Sequence, residues 1–244
     1  VDQYPQLLDE LSNSGTLGEE WRGAFERAPR SAFIPNSIWI PDDDEPTGYR
    51  RAGRAGTPAD WWSAVNANDV VVTQLDDGAD HGPGTSSASM PSLVASMLHH
   101  LDVRDTDTVL DIGTGTGWTT ALLCARLGDH RVTSIEVDAT LAGAAAERLA
   151  DQGVFPTLVV GDGLTGWPAG APYDRIHSTA AVQHVPLPWL EQTRPGGLIV
   201  TPGARPTPTP GCCAWWSANG AVSRTAVSWT TCRSCGCGRS ARIR

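Results

Sequence analysis

Three glycines at alternating positions, Gly113, Gly115 and Gly117, follow a short apolar run in VLDIGTGTGWTTALL. Such a turn lets backbone approach a ligand closely, and the helix start behind it offers N–H groups to a polar or anionic partner. The spacing is G-x-G-x-G. It differs from the G-x-G-x-x-G of dinucleotide binders, and no Gly-Lys-Ser/Thr follows to hold nucleotide phosphates. Carboxylates recur around the turn: Asp111 just before it, Glu136 in SIEVD, and Asp162 with Gly163 in VVGDG. A carboxylate beyond the second strand of a strand–helix alternation faces the crevice where nucleosides lie, so Glu136 is a candidate for ribose hydroxyls. Asp162 is a candidate acceptor from an exocyclic purine amine. With Thr114 and Trp118 these residues form the candidate cofactor-binding set. Blander readings stand beside them: glycines that only turn the chain, a solvent-facing Glu136, an Asp162 that caps its loop. Trp118 either covers an adenosine or fills the gap between helix and sheet.

The elements that must position this set are legible from residue 105 onward. TDTVLDIG, HRVTSIEVD, PTLVVGDG, YDRIHSTAAV and PGGLIVTPG read as strands. Between them GTGWTTALLCARLG, LAGAAAERLADQG and PLPWLEQT read as helices. That alternation predicts an α/β, doubly wound, mostly parallel sheet. Upstream, YPQLLDELSNSG and EEWRGAFERA predict two short helices, with Leu7, Leu8 and Leu11 on one face and Trp21, Phe25 and Ala28 on another. Residues 36–68, rich in Pro, Asp, Gly and Trp, read as an ordered surface excursion. NDVVVTQ reads as a short strand, LDDGADHGPGTSS as a loop, and SMPSLVASMLHHL as an amphipathic helix capped by Ser89 or Ser92. The chain divides at this level into an N-terminal helical and substrate-side extension (1–84), a cofactor-binding domain (85–203) and a tail (204–244).

Composition narrows the function classes. The 244 residues carry a net charge of -9, and all 18 basic residues are arginine. An acidic balance disfavours a non-specific nucleic-acid clamp. No run approaches 18 apolar residues, and the acidic start VDQYPQLLDELSNSG lacks the pattern of a targeting segment. The expectation is a cytoplasmic monomer that binds neither nucleic acid nor membrane. All 27 acidic residues precede the tail, which holds six arginines and five of the six cysteines. That residue mix is what a high-GC gene yields when read out of frame. The expectation is a frameshift that leaves an aberrant or incomplete C-terminal hairpin, and with it an uncovered edge on the last parallel strand.

The glycine turn with its carboxylates resembles the class I S-adenosylmethionine-dependent methyltransferases, whose sheet is Rossmann-like. Residues 85–203 look more narrowly like protein-L-isoaspartate O-methyltransferases. GTSSASMPSLVASMLHHLDV stands where that family carries its Thr-x-Ser-Ala-Pro-His-Met segment, and DRIHSTAAVQHVPLPWLEQTRPGGLIVTP matches its later strands. The family's Pro-His pair is replaced here: Ser89-Met90 follows Ala88 directly. The insertion with IWIPDDDEPTGYR, ADWWSAV and VVVTQLDDG is similar to a branch associated with ribosomally synthesised peptide biosynthesis. The resemblance implies S-adenosyl-L-methionine as cofactor and, as acceptor, an aspartyl or isoaspartyl carboxylate of a peptide or protein. It places Ser87, assisted by Ser86, at that carboxylate, and Thr85, Ser89 and His184 on the substrate side. The product would be a methyl ester that closes to a succinimide.

Methyl transfer to an ionised carboxylate demands no general base. Catalysis then rests on alignment and exclusion of water, and no acid–base dyad is visible in the sequence. Asp76, Asp77, Asp80 and His81 either line the site entrance or form a solvated acidic loop. Two other classes compete with a peptide methyltransferase: a non-catalytic scaffold of the same fold and a small-molecule methyltransferase. A metal module would need Cys232, Cys235 and Cys237 with Cys212 and Cys213, but the adjacent pair and the lack of a distal histidine disfavour a closed zinc site. No metal is expected.

Overall fold

A computed structural model describes residues 2–203, 212–213, 215–217 and 227–228. Two helices, α1 (Tyr4–Asn13) and α2 (Glu19–Arg27), open the chain. Strands β1 (Ser37–Pro41) and β2 (Tyr49–Gly53) follow, then α3 (Pro58–Asn66), β3 (Val71–Leu75) and β4 (Gly84–Ala88). The four strands form one antiparallel sheet in the order β2-β1-β3-β4. Residues 36–68 are thus a hairpin and a helix rather than a surface excursion. Trp61 and Val65 of α3 pack on Ile38, Ala52, Val71 and Ala88 in a core of their own. The segment GTSSA, expected as loop, is a strand because β3 supplies its hydrogen-bond partners; its own residue types carry little strand preference.

The second sheet begins after α4 (Pro91–Leu101). Its parallel strands are β5 (Val109–Ile112), β6 (Val132–Glu136), β7 (Thr157–Val160), β8 (Tyr173–Ser178) and β9 (Thr193–Val200). Helices α5 (Trp118–Leu127), α6 (Ala139–Asp151) and α7 (Leu187–Gln192) connect them. Short strands β10 (Cys212–Cys213), β11 (Trp215–Ser217) and β12 (Val227–Ser228) follow. The sheet order is β11-β9-β8-β5-β6-β7, so the chain reverses its direction of winding between β5 and β8. Ligands of open α/β sheets bind beyond the carboxyl ends of the strands at such a point. One face of the sheet packs Val109, Val132 and Val200 against α1, α2, α4 and α5; the other packs Leu110, Ile112, Ile135, Ile176 and Ile199 around Trp189.

Two expectations change here. Neither Ser89 nor Ser92 caps α4. Met90 holds the cap position without a side-chain bond, Pro91 starts the helix, and Asn68 of the extension accepts from the Ser92 amide at 2.9 Å. The edge of β9 is also covered, because Trp215–Ser217 pairs with Leu198–Val200 in antiparallel register. The rest of the tail, with Cys232, Cys235 and Cys237, lies outside the described residues.

Arg30 joins the two sheets. Its side chain is fully buried, and its two terminal nitrogens donate to the carbonyls of Val65, Ala67, Asp69, Ala88 and Ser89 at 2.8–3.2 Å. The guanidinium also lies 5.6 Å from the Trp118 ring centre. Burial lowers its pKa to about 10, which still leaves it charged at neutral pH. Replacing Arg30 with Met strands five carbonyls and is expected to cost about 3 kcal/mol or more in urea unfolding. Lysine, a point charge with three donors, should recover only a minor part. An Arg30→Lys protein as stable as the unaltered chain would contradict this assignment.

Candidate active site

The glycine turn leaves β5 at Ile112 and enters α5 at Trp118. Gly113, Gly115 and Gly117 all have left-handed φ, at +87°, +54° and +90°. Only Gly117 is confined by its surroundings: a side chain there would meet Leu149 at 3.3 Å, so this glycine lets α5 settle on α6. A side chain on Gly113 or Gly115 would meet its nearest neighbour at 3.8 Å or more, an ordinary contact, so it is their left-handed φ that calls for glycine. The turn is pinned to β6, with the Gly113 amide on the Ile135 carbonyl at 2.9 Å and the Gly115 amide on Glu136 Oε2 at 2.8 Å. Glu136 is buried, and its Oε1 accepts from the amides of Val137 and Asp138. The carboxylate therefore shapes the crevice wall from within.

Below the turn lies a buried polar cluster. Asp111 Oδ2 accepts from Thr120 at 2.7 Å and Ser134 at 3.3 Å, while Oδ1 meets His177 Nδ1 at 2.8 Å. Thr114 closes the cluster by bonding Ser134 at 2.7 Å. Asp111 and Thr114 are thus supports of the turn, held on three strands and α5. His177 was not singled out from the sequence; its place directly opposite Asp111 in the β5–β8 register is the only signal, and that needs the fold.

Asp162 and Gly163 follow β7. Asp162 Oδ1 accepts from the Leu164 amide at 2.9 Å, so this carboxylate does cap its loop. Gly163 is required: a Cβ there would sit 2.6 Å from the Ile112 side chain. Trp118 takes the packing alternative. It is 2% exposed, its ring meets Phe25 edge-on at 5.6 Å, and its indole N–H donates to the Ala28 carbonyl at 3.0 Å. Its side chain belongs to the helix–sheet core and does not line the crevice.

Of the residues expected on the substrate side, Thr85, Ser86 and Ser87 fall on β4, Ser89 just beyond it and His184 after β8. Thr85 donates to Gln74 Oε1 at 2.9 Å and accepts from the Asp77 amide at 3.0 Å. Ser86 accepts from Thr73 at 3.2 Å, Ser87 is exposed, and Ser89 is half-buried beside the Arg30 anchor. His184 is exposed in the loop after β8. Asp76, Asp77, Asp80 and His81 form the exposed turn between β3 and β4, with Asp80 paired to Arg51 at 2.6 Å. Asp138 links the two sides: it caps α6 by accepting from the Thr140 and Leu141 amides, and it accepts from Gln74 Nε2 at 3.1 Å.

The family model for protein-L-isoaspartate(D-aspartate) O-methyltransferase matches residues 72–207, from β3 through β9. The chain belongs to this family. Protein-L-isoaspartate O-methyltransferase 1 of Polaromonas sp. is 44% identical over 119 residues, 48% of this chain and 50% of that protein. The Methanoculleus marisnigri protein-L-isoaspartate O-methyltransferase is 44% identical over 115 residues, 47% of this chain and 51% of that protein. The chain spans about half the length of the curated relatives it matches. A solved protein-L-isoaspartate O-methyltransferase superposes with a TM-score of 0.63 at 27% identity over 82% of this chain and 55% of that one. A Plasmodium falciparum protein described as a beta-aspartate methyltransferase, solved with S-adenosyl-L-homocysteine, gives 0.63 at 12% identity over 89% of both chains and shows the shared fold.

The bond from Gln74 is the largest of several that hold the Asp138 carboxyl below its usual range. A carboxyl lowered in the folded state adds stability above its unfolded value and loses it as pH falls through the folded value. Asp138→Ala is expected to cost about 1 kcal/mol at neutral pH as a lost helix cap. That gap should narrow below about pH 4 as the native carboxyl protonates. Unfolding curves from neutral to acid pH check both; a gap that widens in acid would refute the assignment.

Proposed function

We propose that this chain is an S-adenosyl-L-methionine-dependent O-methyltransferase for isoaspartyl carboxylates of peptides or proteins. The observation that carries the reading is the Gly113–Gly117 turn tied to Glu136, with the Asp162-Gly163 loop at the next strand end. The residues present fit the cofactor: Gly113, Gly115 and Gly117 turn the chain at the end of β5 without side chains, and the carboxylates of Glu136 and Asp162 stand at the ends of the next two strands. S-adenosylmethionine supplies an electrophilic methyl group on a sulfonium when bound.

The chain's own part is placement. Glu136 would hold ribose hydroxyls through lone pairs that its three backbone amides leave free, and Asp162 Oδ2 would accept from the base. Ser87, exposed on a strand anchored by Arg30, would donate to the acceptor carboxylate and orient one oxygen for in-line attack, while Ser86, next to it and bonded to Thr73, would hold the strand in place. No side chain needs to remove a proton, because an isoaspartyl carboxyl is already ionised at neutral pH. Membership of the family and the position of Thr85–Ser89 support an isoaspartyl acceptor over a small molecule.

Incubation with methyl-labelled S-adenosylmethionine and an L-isoaspartyl peptide is expected to yield a peptide methyl ester, heavier by one methylene. Glu136→Gln should weaken S-adenosylhomocysteine binding about tenfold, or about 1.4 kcal/mol, as read by calorimetry. Ser87→Ala should lower kcat/KM for the peptide while cofactor affinity stays unchanged. Absence of both ester and cofactor binding would contradict the proposal.

A further inference from the structure

We propose that Gln74 is a positioning residue that couples the acceptor strand to the cofactor crevice, an inference that rests on the function proposed above. Five hydrogen bonds run in sequence between the two. The Asp77 amide donates to Thr85 Oγ1 at 3.0 Å, and Thr85 donates to Gln74 Oε1 at 2.9 Å. Gln74 Nε2 then donates to Asp138 Oδ2 at 3.1 Å. The Asp138 amide donates to Glu136 Oε1 at 3.2 Å, and the Gly115 amide donates to Glu136 Oε2 at 2.8 Å. The path starts on the turn beside β4 and ends on the glycine turn itself.

Gln74 is the one member that lends a donor and an acceptor from a single planar amide, so it bridges two groups that both need a partner. The β3–β4 ladder is irregular on both sides of it, with register shifts between Val72 and Gln74 and between Gln74 and Leu75. Such irregularities re-aim a side chain out of the regular alternation. Here the re-aimed side chain spans 64 residues of sequence to reach the cap of α6. A shift of Glu136 as it takes up ribose hydroxyls would move the Asp138 amide, and through Gln74 the hydroxyl of Thr85. The reverse path carries acceptor binding back to the glycine turn, since coupling between two sites is reciprocal.

The test is calorimetric titration of the full chain with an L-isoaspartyl peptide, with and without saturating S-adenosylhomocysteine. The unaltered protein is expected to bind the peptide several-fold more tightly in the presence of the nucleoside. Gln74→Leu keeps the bulk and removes both arms of the bridge; the tightening factor should fall to about one. Its peptide KM should rise while kcat at saturation stays within about twofold, a split that a general loss of folding would not produce. Thr85→Val breaks the path on the other side of Gln74 and should abolish the tightening as well, which decides the matter where Gln74→Leu folds poorly. Tightening that survives in either folded variant, or that is absent from the unaltered chain, overturns the coupling. Failure of the unaltered chain to bind S-adenosylhomocysteine at all would instead remove the methyltransferase reading on which it rests.

Discussion

A buried guanidinium hydrogen-bonded to five backbone carbonyls holds the architecture together. Arg30 follows α2, and its terminal nitrogens satisfy the Val65 carbonyl in the last turn of α3, two carbonyls just beyond it, and two at the end of β4. The last carbonyls of a helix have no partner within it, and a strand end loses its ladder, so both need outside donors when buried. One charged side chain meets both needs. It also rests against Trp118, the first residue of α5, whose indole returns a bond to Ala28 two residues before Arg30. The extension, β4 and the helix behind the glycine turn therefore share one packing point.

From that point the division of labour follows. The parallel sheet builds a crevice whose floor is a polar cluster in which Asp111, Thr114, Thr120, Ser134 and His177 Nδ1 hydrogen-bond to one another. Its wall is Glu136, locked by three backbone amides. The antiparallel sheet lays β4 alongside, with Ser86 and Ser87 on a strand and not on a free loop. Rigid elements hold groups closer to a productive geometry than loops do, which suits the proposed methyl transfer, a reaction that needs alignment more than proton transfer.

Much of the parallel sheet was legible in the sequence, because β5 to β9 are apolar runs separated by helical periodicity and the glycine turn announces itself. Ser37–Pro41 and Tyr49–Gly53 were not. SIWIP and YRRAG are short and half-buried, and YRRAG places two arginines in a strand. Only pairing with each other and cover from Trp61 make them strands. GTSSA was invisible for the same reason. In the site, the glycines and carboxylates could be named in advance, while the roles within the set could not. Trp118 offered two faces of equal merit, and the choice was made by Phe25 and Ala28, 90 or more residues distant. Arg30, Gln74 and His177 carried no local signal, since their partners are brought to them by topology.

The central claim is that Arg30 makes β4 and the end of α3 a single unit docked on α5. Amide hydrogen exchange of the unaltered and Arg30→Met chains tests it most directly. The account predicts that protection falls together in residues 65–69 and 84–89, while β5, β6 and β8 keep theirs. Protection that persists at 84–89, or that falls evenly across both sheets, would contradict it.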